Sequence, residues 1–191
     1  KHQKQKMVYK ISKQPSFLVR HEANIMKSLS SITSYCHNFC EYIDIVSQDF
    51  EKNGMIVDVL LIQYLKGRDF AHYIYHNKIG TKQIISILKQ TILGVVLAQN
   101  KCNFTHYDLH NDNIILRKCE ENIQYLYILD NETKYLVPSY GYYPTIIDFG
   151  FSHTKNIQDK PVYFSTLFTN SGCPSETFDE ISDVRRLLIT T

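Results

Sequence analysis

His106-Tyr107-Asp108-Leu109-His110-Asn111-Asp112-Asn113, read together with Asp148-Phe149-Gly150 further along, decides how the rest of the chain is understood. Each stretch adjoins a strand-like run: Ile114 to Arg117 follows the first, and Thr145 to Ile147 precedes the second. The two supply a candidate base, a neutral oxygen ligand and a carboxylate suited to a metal. In a loop entering a strand, the spacing of Asp108 and Asn113 lets both side chains reach one point from two sides. Asp108 can accept the proton of a hydroxyl. Asn113 offers a neutral oxygen, and Asp148 charged oxygens, to a divalent cation; Mg²⁺ keeps few protein ligands and takes phosphate oxygens besides. Such a set can pass a phosphoryl group from ATP to a hydroxyl. That reaction needs the metal, phosphates and attacking oxygen held in place, and little covalent help.

The chain has 191 residues, enough for one domain or two small lobes. A hydrophobic content of 43% excludes wholesale disorder. The net charge of +2 gives no reason to expect direct nucleic-acid binding. Lys1, Lys4, Lys6, Lys10, Lys13 and Arg20 precede the first acid, Glu22, and read as a solvated basic end rather than an anion-binding patch. The 5 cysteines lack framework spacing and point to reduced thiols in a cytoplasmic or nuclear setting. The basic start is followed by no signal-like apolar run. The run Ile92 to Ala98 is far below the roughly 18 residues of a membrane helix, so no membrane contact is expected.

Pattern and punctuation predict a strand at Met7 to Ile11, a helix at Ser16 to Ser30, and strands at Phe39 to Val46 and Met55 to Leu65. A turn is expected at Lys66-Gly67-Arg68-Asp69 and a short helix at Phe70 to His76. Thr81 to Asn100 is the strongest helix, with Thr81 as its cap and Ile84, Ile85, Leu88, Ile92, Val95 and Val96 as its apolar face. Tyr125 to Leu129 and Lys134 to Val137 form a hairpin around Asp130-Asn131-Glu132. A long polar loop spans Gly150 to Glu176, and a helix restarts at Glu180. Strands dominate the first part and helices the second, which suggests two lobes with a cleft between them and a boundary near Tyr64 to Gly67.

The segment around Asp108 resembles the catalytic loop of eukaryotic-type protein kinases, and Asp148-Phe149-Gly150 resembles their metal-binding triplet. The resemblance implies a two-lobed α+β fold, truncated, with residues 1–65 a partial small lobe and residues 66–191 a partial large lobe ending in the supporting helix. It implies Asp108 as catalytic base, with Asn113 and Asp148 as Mg²⁺ ligands. It makes Lys10 the strand lysine that holds the ATP phosphates and Glu22 its ion-pair partner. His110, where most protein kinases carry Lys, falls near the γ-phosphate. Leu61 to Asp69 resembles the hinge: Ile62 at the back of the adenine pocket, the backbone of Gln63 and Leu65 on the adenine edge, Asp69 near the ribose. Asp183 resembles the buried aspartate that supports the catalytic loop.

The hairpin insertion, with Val137-Pro138-Ser139-Tyr140-Gly141 after it, is similar to haspin-like kinases and kinases of large DNA viruses. The haspin family usually departs from the Asp-Phe-Gly triplet kept here. Other features depart from protein kinases at large. No Gly-rich hairpin precedes Lys10, and Gly54, Gly67 and Gly80 are too scattered to replace it. Tyr107 replaces the Arg that pairs with a phosphorylated activation segment. Pro174-Ser175-Glu176 matches the usual Ala-Pro-Glu only loosely and lies close to Asp183. The expected activity is transfer of the γ-phosphoryl group of ATP to Ser or Thr of a protein substrate, by a fragment of a longer kinase or a reduced relative. Two alternatives stay open: a small-molecule kinase of the aminoglycoside or choline type, and a pseudokinase or binding scaffold. His72 with His76, and Cys36 with Cys40, have metal-compatible spacing but no further ligand nearby, and read as a solvated helix face and structural thiols.

Overall fold

The computed structural model describes residues 6–11, 17–49, 56–155 and 178–191. Lys1, Lys4, Lys13, Gly54, most of the expected loop after Gly150, and Pro174-Ser175-Glu176 lie outside the described residues. The described residues form a mixed α+β structure of small sheets and four helices. Strand β1 (Met7–Ile11) precedes helix α1 (Phe17–Thr33), then β2 (Tyr42–Asp49) and β3 (Ile56–Gln63). The first sheet has the order β1-β3-β2, antiparallel throughout. Central β3 carries the nearly unbroken apolar run Val59-Leu60-Leu61-Ile62, as a strand covered by neighbours on both edges should. Asp58, just before that run, is buried but bonded to Arg20 and to the Ser47 hydroxyl.

Next come β4 (Gly67–Asp69), α2 (Phe70–Tyr75), α3 (Thr81–Cys102) and β5 (Ile114–Lys118). The expected turn at Lys66 to Asp69 is therefore partly strand, paired with β5 from Gly67↔Arg117 to Asp69↔Ile115. Gly67 permits this approach: a Cβ there would stand 2.2 Å from the Leu116 carbonyl oxygen. The hairpin forms as β6 (Gln124–Ile128) and β7 (Lys134–Pro138), its turn held by Asp130 Oδ1, which accepts the amides of Glu132 and Thr133. Strand β8 (Tyr142–Ile146) returns to pair with β5, and α4 (Ser182–Thr190) closes the described chain. Phe39 stands outside β2 and makes only an isolated bridge to Ile146.

Helix α3 keeps most of its predicted face, with Val95 buried and Ile84, Leu88 and Ile92 packed on the core, but adds polar residues to it. Its buried residues are Ser86, Ile87, Gln90, Thr91, Gly94, Val95, Ala98, Gln99 and Cys102, whereas Ile85 is exposed. The polar members bond inward: Ser86 Oγ donates to the Pro138 carbonyl, and Gln90 Nε2 to the Tyr142 carbonyl at 3.2 Å. An all-apolar stripe therefore misses the face that meets β7 and β8. The N-cap is Gly80, not Thr81, and its amide donates to Gln83 Oε1 at 2.8 Å. By length and mean hydropathy α3 could cross a membrane, but here it packs on α1 and β8.

One hydrophobic core runs from Val19, Met26 and Leu29 of α1 through Phe39, Leu60, Val95, Phe104 and Phe149 to Leu187 of α4. The hairpin is fastened to it by Tyr127, whose hydroxyl donates to Asn38 Oδ1 at 2.9 Å. Asn38 Nδ2 in turn donates to the Pro144 carbonyl at 3.0 Å, fixing β8 and hence the approach to Asp148.

Candidate active site

Helix α1 turns Val19, Glu22, Ala23, Met26 and Leu29 to the interior at helical spacing. Glu22 is the one acid in that stripe and is 3% exposed, so it must be paired. β1 supplies the partner: Lys10 Nζ lies 2.7 Å from Glu22 Oε2 and 2.8 Å from Asp148 Oδ1. Glu22 Oε1 also accepts the Phe149 amide at 3.2 Å. One ammonium thus joins β1, α1 and the Asp148 turn. Burial works against the charge on Lys10, but the two carboxylates outweigh it and hold its pKa above the usual lysine value. Burial pushes Asp148 up, yet Lys10 overrides it and holds that carboxyl below its ordinary pKa. Burial lifts Glu22 above the usual range, with Lys10 pulling it back.

Asp148 adopts the left-handed conformation at φ 64°, uncommon for a residue other than glycine. Its neighbours hold it there. Phe149 is fully buried, its ring centroid 5.5 Å from that of His106 and 6.3 Å from those of Phe39 and Phe104. On the other side the Ile147 amide donates to the Asn113 carbonyl at 3.0 Å, and the Ile147 carbonyl lies 3.0 Å from His106 Nε2.

His106 is fully buried and organises the loop. The Asp108 amide donates to its Nδ1 at 3.2 Å, so Nε2 carries the proton and donates to Ile147. Burial pushes its pKa down to about 4, which keeps the ring neutral. Asp183 of α4 accepts the amides of His106 and Tyr107 at 2.7 and 3.0 Å. Its burial raises its pKa to about 7 against the pull of those two bonds.

Asp108, His110 and Asn113 meet within this loop. Asn113 Nδ2 donates to the Asp108 carbonyl at 2.9 Å and to Asp108 Oδ2 at 3.3 Å, and lies 3.2 Å from His110 Nε2. His110 bridges two acids, with Nε2 3.6 Å from Asp108 Oδ2 and Nδ1 3.2 Å from Asp112 Oδ2. Arg186 of α4 pairs with Asp108 Oδ1.

At the end of β3 and on towards β4, Ile62 and Leu65 are half-buried against the core. The Gln63 amide is taken by the Glu41 carbonyl at 3.0 Å, and its carbonyl accepts a weak bond from the Cys40 thiol at 3.7 Å. Asp69 caps α2, with Oδ1 accepting the His72 amide at 2.6 Å. A cavity of about 290 Å³ lies on the far flank of α1, lined by Arg20, Asn24, Lys27 and Asp58 and by none of the Lys10–Asp148 group.

No group of three or more His, Cys, Asp or Glu able to hold a metal occurs among the described residues. The His72 and His76 rings meet edge-to-face with centroids 4.5 Å apart and His72 Nε2 faces Lys78 Nζ, while burial raises the Cys36 and Cys40 thiols to about 11 and about 12. A site of one carboxylate and one amide oxygen still suits Mg²⁺, which draws its remaining ligands from phosphates and water. Sequence reasoning missed the structural roles of His106 and Phe149 and missed Arg186. For Arg186 a signal existed: it stands one turn beyond Asp183 on the same helix side.

No family model matches the chain. The chain is similar to uncharacterized protein 038R of Invertebrate iridescent virus 3, with 29% identity over 95% of this chain and 37% of that protein. Uncharacterized protein 098R of Invertebrate iridescent virus 6 is 27% identical over 95% of this chain and 38% of that protein. The chain thus spans well under half the length of these relatives. Probable kinase 098L of Invertebrate iridescent virus 3 is 32% identical over 54% of this chain and 21% of that protein. These relatives are viral, and a distant likeness to a probable kinase supports a kinase relationship and nothing finer.

Proposed function

We propose that this chain carries the catalytic centre of an ATP- and Mg²⁺-dependent kinase that phosphorylates Ser or Thr hydroxyls of a protein. The observation that carries the reading is the double ion pair of Lys10 with Glu22 and Asp148, beside a loop that gathers Asp108, His110 and Asn113. In this reading residues 1–65 belong to a small lobe and residues 66–191 to a large one. Lys10, kept charged by its two acids, draws the phosphates to the mouth of the site. Asp148, half-exposed and ionised, and Asn113, through Oδ1, hold the metal. Bound Mg²⁺ would offset the charge that builds on the phosphate oxygens. Asp108 accepts the hydroxyl proton and orients the attacking oxygen. His110 faces the γ-phosphate. Ile62, Gln63 and Leu65 line the base, the Gln63 carbonyl keeping a lone pair beyond its weak bond from the Cys40 thiol, and Asp69 sits by the ribose.

The test is transfer from γ-labelled ATP to a panel of proteins and small alcohols, with and without Mg²⁺. Labelled Ser or Thr that disappears on removing Mg²⁺ and in Asp108→Asn supports the reading. Label on small alcohols alone would give the site to a small-molecule kinase. No label, with no nucleotide binding, would make it a scaffold.

A further inference from the structure

Helix α4 presents Asp183 and Arg186 one turn apart, on one side of the helix. Asp183 grips the catalytic loop through the His106 and Tyr107 amides. Arg186 reaches the same loop from the next turn. Its Nη1 donates to the Tyr107 carbonyl at 3.3 Å, and its Nη2 lies 2.5 Å from Asp108 Oδ1. Tyr107 stands at φ 63°, a left-handed conformation that a bulky residue rarely adopts. Bonds at both its amide and its carbonyl hold it there. Asp108 is held as well: Oδ1 belongs to Arg186, while Oδ2 faces Asn113 Nδ2 and His110 Nε2.

We propose that Arg186 is the positioning residue for Asp108, locking its carboxylate so that Oδ1 is held on α4 and Oδ2, on the side of Asn113 and His110, is the oxygen offered to the hydroxyl. A planar guanidinium can span the Tyr107 carbonyl and the Asp108 carboxylate at once, which a lysine ammonium does less well. The cation comes from α4, whereas position 107 of the loop, a Tyr, supplies none. No bond joins Arg186 to Lys10, Glu22 or Asp148, so its effect falls on the orientation of the base and not on nucleotide binding.

The catalytic half of this inference rests on Asp108 being the base, and the test separates the two. In a transfer assay, Arg186→Ala lowers kcat about tenfold or more while KM for ATP stays within about twofold. Millimolar guanidinium restores part of kcat to Arg186→Ala, and Arg186→Lys is impaired as well. An unchanged kcat, or a loss confined to KM, in a protein whose wild type is active overturns the proposal. Independently of activity, thermal unfolding is compared for wild type, Asp108→Asn, Arg186→Ala and the double variant. The clamp predicts a combined loss in Tm smaller than the sum of the single losses. Additive losses overturn it, even where no transfer by the wild type has already removed the kinase reading.

Discussion

Glu22 costs several kcal/mol to bury as a lone carboxylate, and Lys10 is what makes it tolerable. Lys10→Met leaves Glu22 without its cation. Because the Lys10 side chain is 36% exposed and screened, the expected loss is about 2 kcal/mol, below that of a fully buried pair. Urea unfolding should show a lower midpoint at unchanged slope, and Lys10→Met with Glu22→Gln should regain part of the loss. His106 gives a pH signature. Its folded pKa of about 4 lies below the ordinary 6.5, so the unfolded chain takes up the proton first. Its contribution is present above pH 6.5 and is lost as pH falls towards 4. The stability advantage of wild type over His106→Gln should therefore shrink by up to about 3 kcal/mol across that window. A constant difference would show that the ring is not held neutral by burial. Asp108, Asn113 and Asp148 were legible as a chemical set from type and order alone. Lys10 and Glu22 were legible only through the kinase resemblance, since a lysine in a basic segment has no distinguishing neighbour in sequence.

Element by element, the reading of strands and helices survives with shifted ends, because β-branched runs and turn residues act locally. The predicted face of α3 was incomplete, because its buried side also bonds through Ser86 and Gln90 to carbonyls of β7 and β8. Which carbonyls lie opposite is fixed only once the hairpin and β8 are in place. Gly94 marks a close approach on the same helix: a Cβ there would stand 2.8 Å from Asn38 Cβ. Gly94→Ala gains about 1 kcal/mol of helix propensity. It also forces Asn38, which holds Tyr127 and Pro144, to move, at a cost of about 1–3 kcal/mol. The expected net effect is a lower Tm, and a raised Tm would show that the helix sits further from Asn38. The spacing of Arg186 from Asp183 was legible, but not what Arg186 touches. Its bond to Tyr107 spans 79 positions and exists only after α4 docks.

At the scale of the whole molecule, three separate parts of the chain converge on Lys10 and the Asp108 loop: β1 with α1, the turn after β8, and α4. The α+β class followed from strands early in the chain, helices later and the kinase resemblance, whereas the shared core from Val19 to Leu187 needed the folded chain. A ligand that binds only the native state raises its stability by about 2.7 kcal/mol at a hundredfold excess over Kd. The most direct measurement is thermal unfolding with ATP, with and without Mg²⁺, for wild type and Asp148→Asn. The account predicts that ATP raises the wild-type Tm only when Mg²⁺ is present, and that Asp148→Asn abolishes the Mg²⁺-dependent part. An ATP shift indifferent to Mg²⁺, or equally large in Asp148→Asn, would contradict it.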